Sequence, residues 1–195
     1  MNAGSGGAPA DPLPAVPTGL PEPLAARPLD PRRRLPVPYV SEHRTRDGQP
    51  IVDFTAINAD RADEVGRDRR CSLCGTGMGY RVAFLGGPAS AANRLYSDPP
   101  GHPDCMRAAV TLCSYIAIGR ARRATARRLQ PGTVTPPGLA DGKPTEWLLG
   151  ITRNYRMLYR RGTLVFRPAP FTGIERWTYD SDGRLCAAPP PIPLP

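Results

Sequence analysis

The chain has 195 residues, of which 26 are proline and 20 glycine; together these make almost a quarter of it, against a usual combined share of about 12%. Its 26 basic residues outnumber 17 acidic ones for a formal charge of +9, and Lys143 is the sole lysine, so the excess is arginine. This composition excludes a collagen, a coiled coil and an all-α bundle, and no apolar run approaches the roughly 18 residues needed to cross a bilayer.

Ten prolines fall within the first 40 residues and five within the last seven. Residues 1–34 therefore read as a disordered proline-rich arm, because proline removes backbone donors and the segment has almost no aromatic side chain with which to build a core. Its Arg32, Arg33 and Arg34 read as a solvated stretch, with anion contact as the sharper alternative. Met1 to Asp30 lacks the basic start and continuous apolar stretch of a secretory signal, which makes the cytoplasm the expected compartment. Ordered structure is expected from LPVPYV onward. In QPIVDFTAIN, Ile51, Phe54 and Ile57 are available for burial on a short strand or strand and loop, and residues 60–69 suit a brief polar helix.

The chemistry concentrates in CSLCG and PPGHPDC. Cys71 and Cys74 form a C-x2-C pair, His102 and Cys105 an H-x2-C pair, and 27 residues separate the inner members. Three thiols and an imidazole in two tight pairs suit tetrahedral Zn2+. Gly75 follows where the backbone must turn around a metal, and the alternation of Tyr80, Val82 and Phe84 predicts one arm of a hairpin between the two pairs. Pro103 suits the first position of a helix, which puts His102 at its cap and Cys105 in its first turn. Knuckle, hairpin and helix in that order make a treble-clef-like module. A single helix over 103–118 would hold Cys113 about 12 Å beyond Cys105, too far to share one ion. Cys113 also falls on an apolar stripe with Ala109, Leu112 and Ile116, so it reads as a buried structural cysteine. Two alternatives stay open: Cys113 in place of His102 or Cys105 in the ligand set, and cysteines that are unligated or redox-active. Four protein ligands leave no coordination position for a substrate, which marks the site as structural.

GRARRATARRLQ follows. Arg120, Arg122, Arg123, Arg127 and Arg128 carry five positive charges with no acid nearby, a candidate surface for an anion, a nucleic-acid backbone or a protein partner, or a solvated helix end. Residues 131–145 read as a proline- and glycine-rich linker. Over 146–184, the alternations Trp147/Leu149/Ile151, Leu164/Phe166 and Trp177/Tyr179 predict a small antiparallel sheet packed on the metal module, and 185–195 read as a proline-rich tail. Core filling is the first reading of the aromatic residues here; a base-stacking platform of Trp177, Tyr155 or Tyr159 is the second.

LPVPYV, CSLCG, PPGHPDC with downstream Cys113, and ITRNYRM together resemble a group of small actinobacterial and actinophage proteins with a cysteine-knuckle module, over roughly residues 35–180. The resemblance implies a zinc-associated architecture with the later strands as its usual context, and no reaction. The expected fold is therefore α+β: a zinc module with its basic helix over 35–130, a C-terminal sheet, and proline-rich ends. The leading functional reading is a zinc-stabilised interaction or regulatory adaptor that takes a protein or nucleic-acid partner through a basic surface, with no membrane partner. A DNA or RNA accessory protein is the alternative, and a metal-dependent nuclease the enzymatic one. Catalysis is disfavoured because only His43 remains once His102 is a ligand, and Asp98 and Asp104 read as loop solvation and helix capping.

Overall fold

The computed structural model describes residues 13–119 and 143–190. In chain order the elements are α1 (Glu22–Ala25), β1 (Glu42–Arg44), β2 (Pro50–Val52), α2 (Ala59–Arg67), β3 (Val82–Gly86), α3 (Pro88–Asn93), α4 (Pro103–Leu112), α5 (Ser114–Ala117), β4 (Glu146–Thr152), β5 (Tyr155–Arg160), β6 (Thr163–Pro168), β7 (Gly173–Tyr179) and β8 (Leu185–Ala188). Antiparallel pairing builds one four-stranded sheet in the order β3-β4-β7-β8 and two hairpins, β1-β2 and β5-β6.

Strand β4 is buried along almost its whole length because the sheet is covered on both faces. On one face α4 packs Met106 against Ala83, Leu149 and Ile151, with Trp177 at the margin. This matches the Trp147/Leu149/Ile151 alternation, since a strand sends every second side chain to one side. On the other face Val82 and Phe84 meet Phe166 of β6, with Met157, Tyr155 and Phe171 around them. The Phe84 ring lies edge-on to that of Tyr155, 5.7 Å between centroids, a favoured arrangement for aromatic pairs. The small sheet, the helix below it and the hairpin above it bear out the α+β expectation at that level.

Five local expectations change. The second half of the N-terminal arm is built into the fold: α1 docks with Leu24 only 3% exposed, and the chain then doubles back through a Leu29–Pro36 bridge. Arg27 holds it there, pairing with Glu42 and donating from Nε to the Val37 carbonyl at 3.0 Å. Arg32 and Arg33 give their amides to the Asp30 carboxylate, and the Arg33 guanidinium lies over the Phe54 ring at 4.8 Å. The expected burial near 51–57 also fails for both isoleucines, with Ile51 49% exposed on the β1-β2 hairpin and Ile57 39% exposed in the loop after it, while Phe54 is half-buried. Helix α2, by contrast, lies where a polar helix was expected, and Asn58 caps it by accepting from the amides of Asp60 and Arg61.

The hairpin expected between the ligand pairs is replaced by a strand and a short helix. Strand β3 takes β4 as its ladder partner, with α3 following it, and the return chain meets β3 through reciprocal Ala83–Gly101 amide-carbonyl bonds and through the Tyr96 ring, 5.0 Å from that of Phe84 between centroids. Tyr80 stands before the strand and is exposed. Finally, the helix after His102 stops at Cys113, whose ψ of 107° is extended, and α5 begins afresh beyond it. The stripe expected to bury Cys113 is thereby broken, and that cysteine is exposed. Strand β8 takes residues 185–188 out of the expected tail and into the sheet. The arginines at 120, 122, 123, 127 and 128 and the linker over 131–142 lie outside the described residues.

Candidate metal centre

The first corner is a tight turn closed by the Gly75 amide on the Cys71 carbonyl and the Cys71 amide on the Thr76 carbonyl, both at 2.8 Å. Gly75 has φ +79°, a conformation that side-chain-bearing residues rarely adopt, and a Cβ there would lie 2.6 Å from the Tyr39 ring. Arg70 braces the turn from outside, donating from Nε to the Gly75 carbonyl at 2.6 Å while its other end pairs with Glu64. The second corner is the start of α4, where Pro103 takes a position whose missing amide proton has no intrahelical acceptor. His102 caps that helix in an extended conformation and Cys105 sits in its first turn, as the spacing suggests.

These corners meet. Ligand atoms of Cys71, Cys74, His102 and Cys105 all lie within 4.8 Å of one another. His102 Nδ1 is 3.4 Å from Cys74 Sγ and 3.8 Å from Cys105 Sγ. A tetrahedral zinc at ordinary bond lengths makes sulfur-to-nitrogen edges of about 3.6 Å, so the spacing fits a single ion. The imidazole is also oriented for it. Its Nε2 lies 3.1 Å from the Gly77 carbonyl oxygen, and because a carbonyl only accepts, Nε2 carries the proton and Nδ1 presents its lone pair to the sulfurs. The His102 amide donates to Cys71 Sγ at 3.4 Å, and the Thr76 hydroxyl stands 3.2 Å from Cys74 Sγ.

The chemistry of the thiols points the same way. Hydrogen bonds from Cys105 and Cys74 pull the Cys71 thiol well below its ordinary range, helped by the backbone amides of Cys74 and His102. Cys105 is pushed up, because it donates to Cys71 and Cys74 beside the negative charge they hold. Cys71 and Cys105 are thus pushed in opposite directions by their contact; a divalent ion would remove that opposition by binding the cysteines as thiolates. The cluster is a Cys3His donor set able to hold a divalent metal.

Two further features shape the site. Leu24 of α1 shares one buried cluster with Cys71, Cys74 and Cys105, with Leu73, Met78, Ala108 and Leu112 packed around them, so the arm adds apolar cover on the cysteine side. Gly101 is the second: a Cβ there would lie 3.0 Å from Cys71 Sγ and 2.8 Å from Met106 Cε, so a side chain would crowd the sulfur and displace the end of Met106. Cys113 does not belong to the cluster.

Compared with protein-family models, curated proteins and solved structures, the chain finds no match in any of the three. The functional reading therefore rests on its own residues.

The remaining candidates are scattered. His43 lies on β1 with Nε2 3.3 Å from the Ala56 carbonyl, while Asp53 spends a carboxylate oxygen on Thr55. Asp98 accepts from Ser97 and Asp104 pairs with Arg107. Tyr155 faces the core and donates to the Gly66 carbonyl, Tyr159 is exposed and donates to Asp63, and Trp177 packs toward α4, so the three rings form no common platform. No described helix is long and apolar enough to cross a membrane.

Proposed function

We propose that this chain is a zinc-stabilised interaction module, a regulatory adaptor that works by presenting a fixed, basic surface to a partner rather than by converting a substrate. The carrying observation is the closed Cys3His donor set with the His102 tautomer fixed by the Gly77 carbonyl. Thiolate-rich tetrahedral sites favour zinc, and a site that supplies four protein ligands has no position left for substrate. Its place between the first knuckle and α4 gives zinc the role of tying the knuckle to the helix beside the apolar contacts they already share. The knuckle and the ligand-bearing helix are the two parts of a treble clef that this reading retains, and CSLCG and PPGHPDC are the motifs on which it resembles the small actinobacterial and actinophage proteins.

Metal content of protein purified without added metal tests the reading. We expect one zinc per chain, lost in both Cys74→Ser and Cys105→Ser together with ordered structure. Cobalt substitution then separates adaptor from enzyme: an intense tetrahedral visible spectrum that added imidazole or cyanide leaves unchanged supports a closed site. A spectrum that shifts on adding either ligand would show an open coordination position and overturn the non-catalytic reading.

A further inference from the structure

The hairpin above the sheet carries charge that no ion pair among the described residues takes up. Residues 153–168 hold Arg153, Arg156, Arg160, Arg161 and Arg167 and contain neither Asp nor Glu. All five arginines are exposed. Elsewhere among the described residues the ion pairs are distributed with care: Arg27 and Arg61 share Glu42, Arg67 pairs with Asp63, Arg70 with Glu64, Arg107 with Asp104 and Glu175, and Arg176 with Glu146. The hairpin arginines take no part in these pairs.

Their arrangement is ordered as well as unpaired. Arg156 and Arg167 are directly opposite in the β5-β6 register, a juxtaposition of like charges that weakens a ladder unless an anion lies between them. Arg160 lies on the same face of the ribbon, about 13 Å along β5 from Arg156. At the tip, Arg161 and Gly162 have φ of 50° and 78°, the paired positive values of a tight two-residue turn, which fixes where Arg160 and Arg161 project from the end. The opposite face is anchored by Phe166 and Met157 in the core, so the arginines stand on a ribbon whose position is set by packing. Such a row of guanidinium forks on a rigid support is suited to repeated phosphate groups.

The shape and the aromatic residues select among polyanions. A two-stranded ribbon is one of the elements that a duplex major groove admits. Non-specific single-strand binding instead relies on rings free to stack on successive bases. Here Tyr155 is turned into the core, Tyr159 is tied to Asp63, and the Arg153 guanidinium lies 4.9 Å over the Tyr80 ring. Resting on the interaction-module reading above, we propose that the β5-β6 hairpin is a contact surface for duplex DNA, which it grips through the phosphate backbone without reading sequence.

The test uses the full zinc-loaded chain and a short mixed-sequence duplex, with binding followed by fluorescence anisotropy over a series of salt concentrations. Replacing Arg156, Arg160, Arg161 and Arg167 together by glutamine should reduce the slope of log K against log salt by about 3 to 4, near 0.9 for each phosphate no longer neutralised. Zinc content and melting temperature should stay at wild-type values. A second variant, Arg160→Gln with Arg161→Gln, changes only the tip and should reduce the slope by about 2, which keeps the test sharp if the fourfold variant folds poorly. Neutralising Arg120, Arg122, Arg123, Arg127 and Arg128 is the comparison. The proposal is overturned if the hairpin variants keep the wild-type slope while that comparison loses binding, if the wild type prefers a single strand of equal length, or if it binds an acidic polypeptide and no DNA. A zinc-loaded, folded chain that binds no duplex defeats this inference alone, whereas a chain that folds without zinc defeats the reading beneath it.

Discussion

Leu24→Ala removes the side chain with which the N-terminal arm covers the cysteine cluster, and its effect on metal release can be worked out beforehand. Leu24 is 3% exposed and lies in one buried cluster with Cys71, Cys74 and Cys105, so the substitution strips apolar atoms from that cluster and leaves a cavity in it. Leucine-to-alanine changes in buried sites cost about 2–5 kcal/mol; a one-turn helix on a surface arm can settle partway into the space, which places this one at about 2–3 kcal/mol. That energy belongs to arm docking, because Arg27 and Val37 hold the next stretch of chain independently. If chelators reach the metal through states in which α1 is lifted, zinc transfer to excess chromogenic chelator should quicken roughly 30- to 150-fold, the factor corresponding to that energy. Leu13→Ala, at a position 61% exposed, should leave the rate unchanged. A wild-type release rate for Leu24→Ala, measured alongside a lowered melting temperature that proves the packing was weakened, would refute the idea that the arm guards the metal.

Three further outcomes follow from the packing. Gly101→Ala places a methyl group 3.0 Å from Cys71 Sγ, and the forced shift should cost about 1–3 kcal/mol in thermal or denaturant unfolding and weaken zinc retention in a chelator competition. Cys113→Ser should keep one zinc per chain and a melting temperature close to wild type, since Cys113 is exposed at the junction of α4 and α5, whereas Cys105→Ser should lose both. Phe166→Ala empties the centre of the layer between hairpin and sheet, where the ring is fully buried, and should destabilise the chain by about 3–5 kcal/mol in urea titration.

The ligand set is legible in the sequence because its information is local. A C-x2-C turn with its glycine, and a proline that starts a helix two residues before the next cysteine, each fit within a few residues and need no distant partner to be recognised. The alternation of Trp147, Leu149 and Ile151 is legible for the same reason. What sequence periodicity does not supply is partnership: Val82 and Phe84 mark a strand, but nothing in them says that the opposing strand begins at Glu146 rather than within the next 15 residues. Ile51 and Ile57 have the spacing of core residues, yet apolar spacing signals burial only where a second layer exists to receive it. Leu24 is hidden by its neighbourhood, one buried leucine in a proline-rich stretch whose average composition describes an unfolded chain. Cys113 departs from its expected burial because the apolar stripe runs across a helix break that side-chain periodicity does not register.

The β3-β4 ladder joins strands separated by 59 residues, from 87 to 145, whereas the whole Cys3His donor set lies before residue 106. The order of synthesis therefore separates two assembly events. A chain emerging from the ribosome has its whole donor set available while the sheet still lacks its central strand, and the strand pairing must then overcome the entropy of closing a long loop. A cation bound early would hold β3 and α4 as a preformed template, so that the later strands add to an existing edge instead of searching for one. Refolding from denaturant should accordingly be faster when zinc is present from the start than when it is added after the sheet has been left to find its own register.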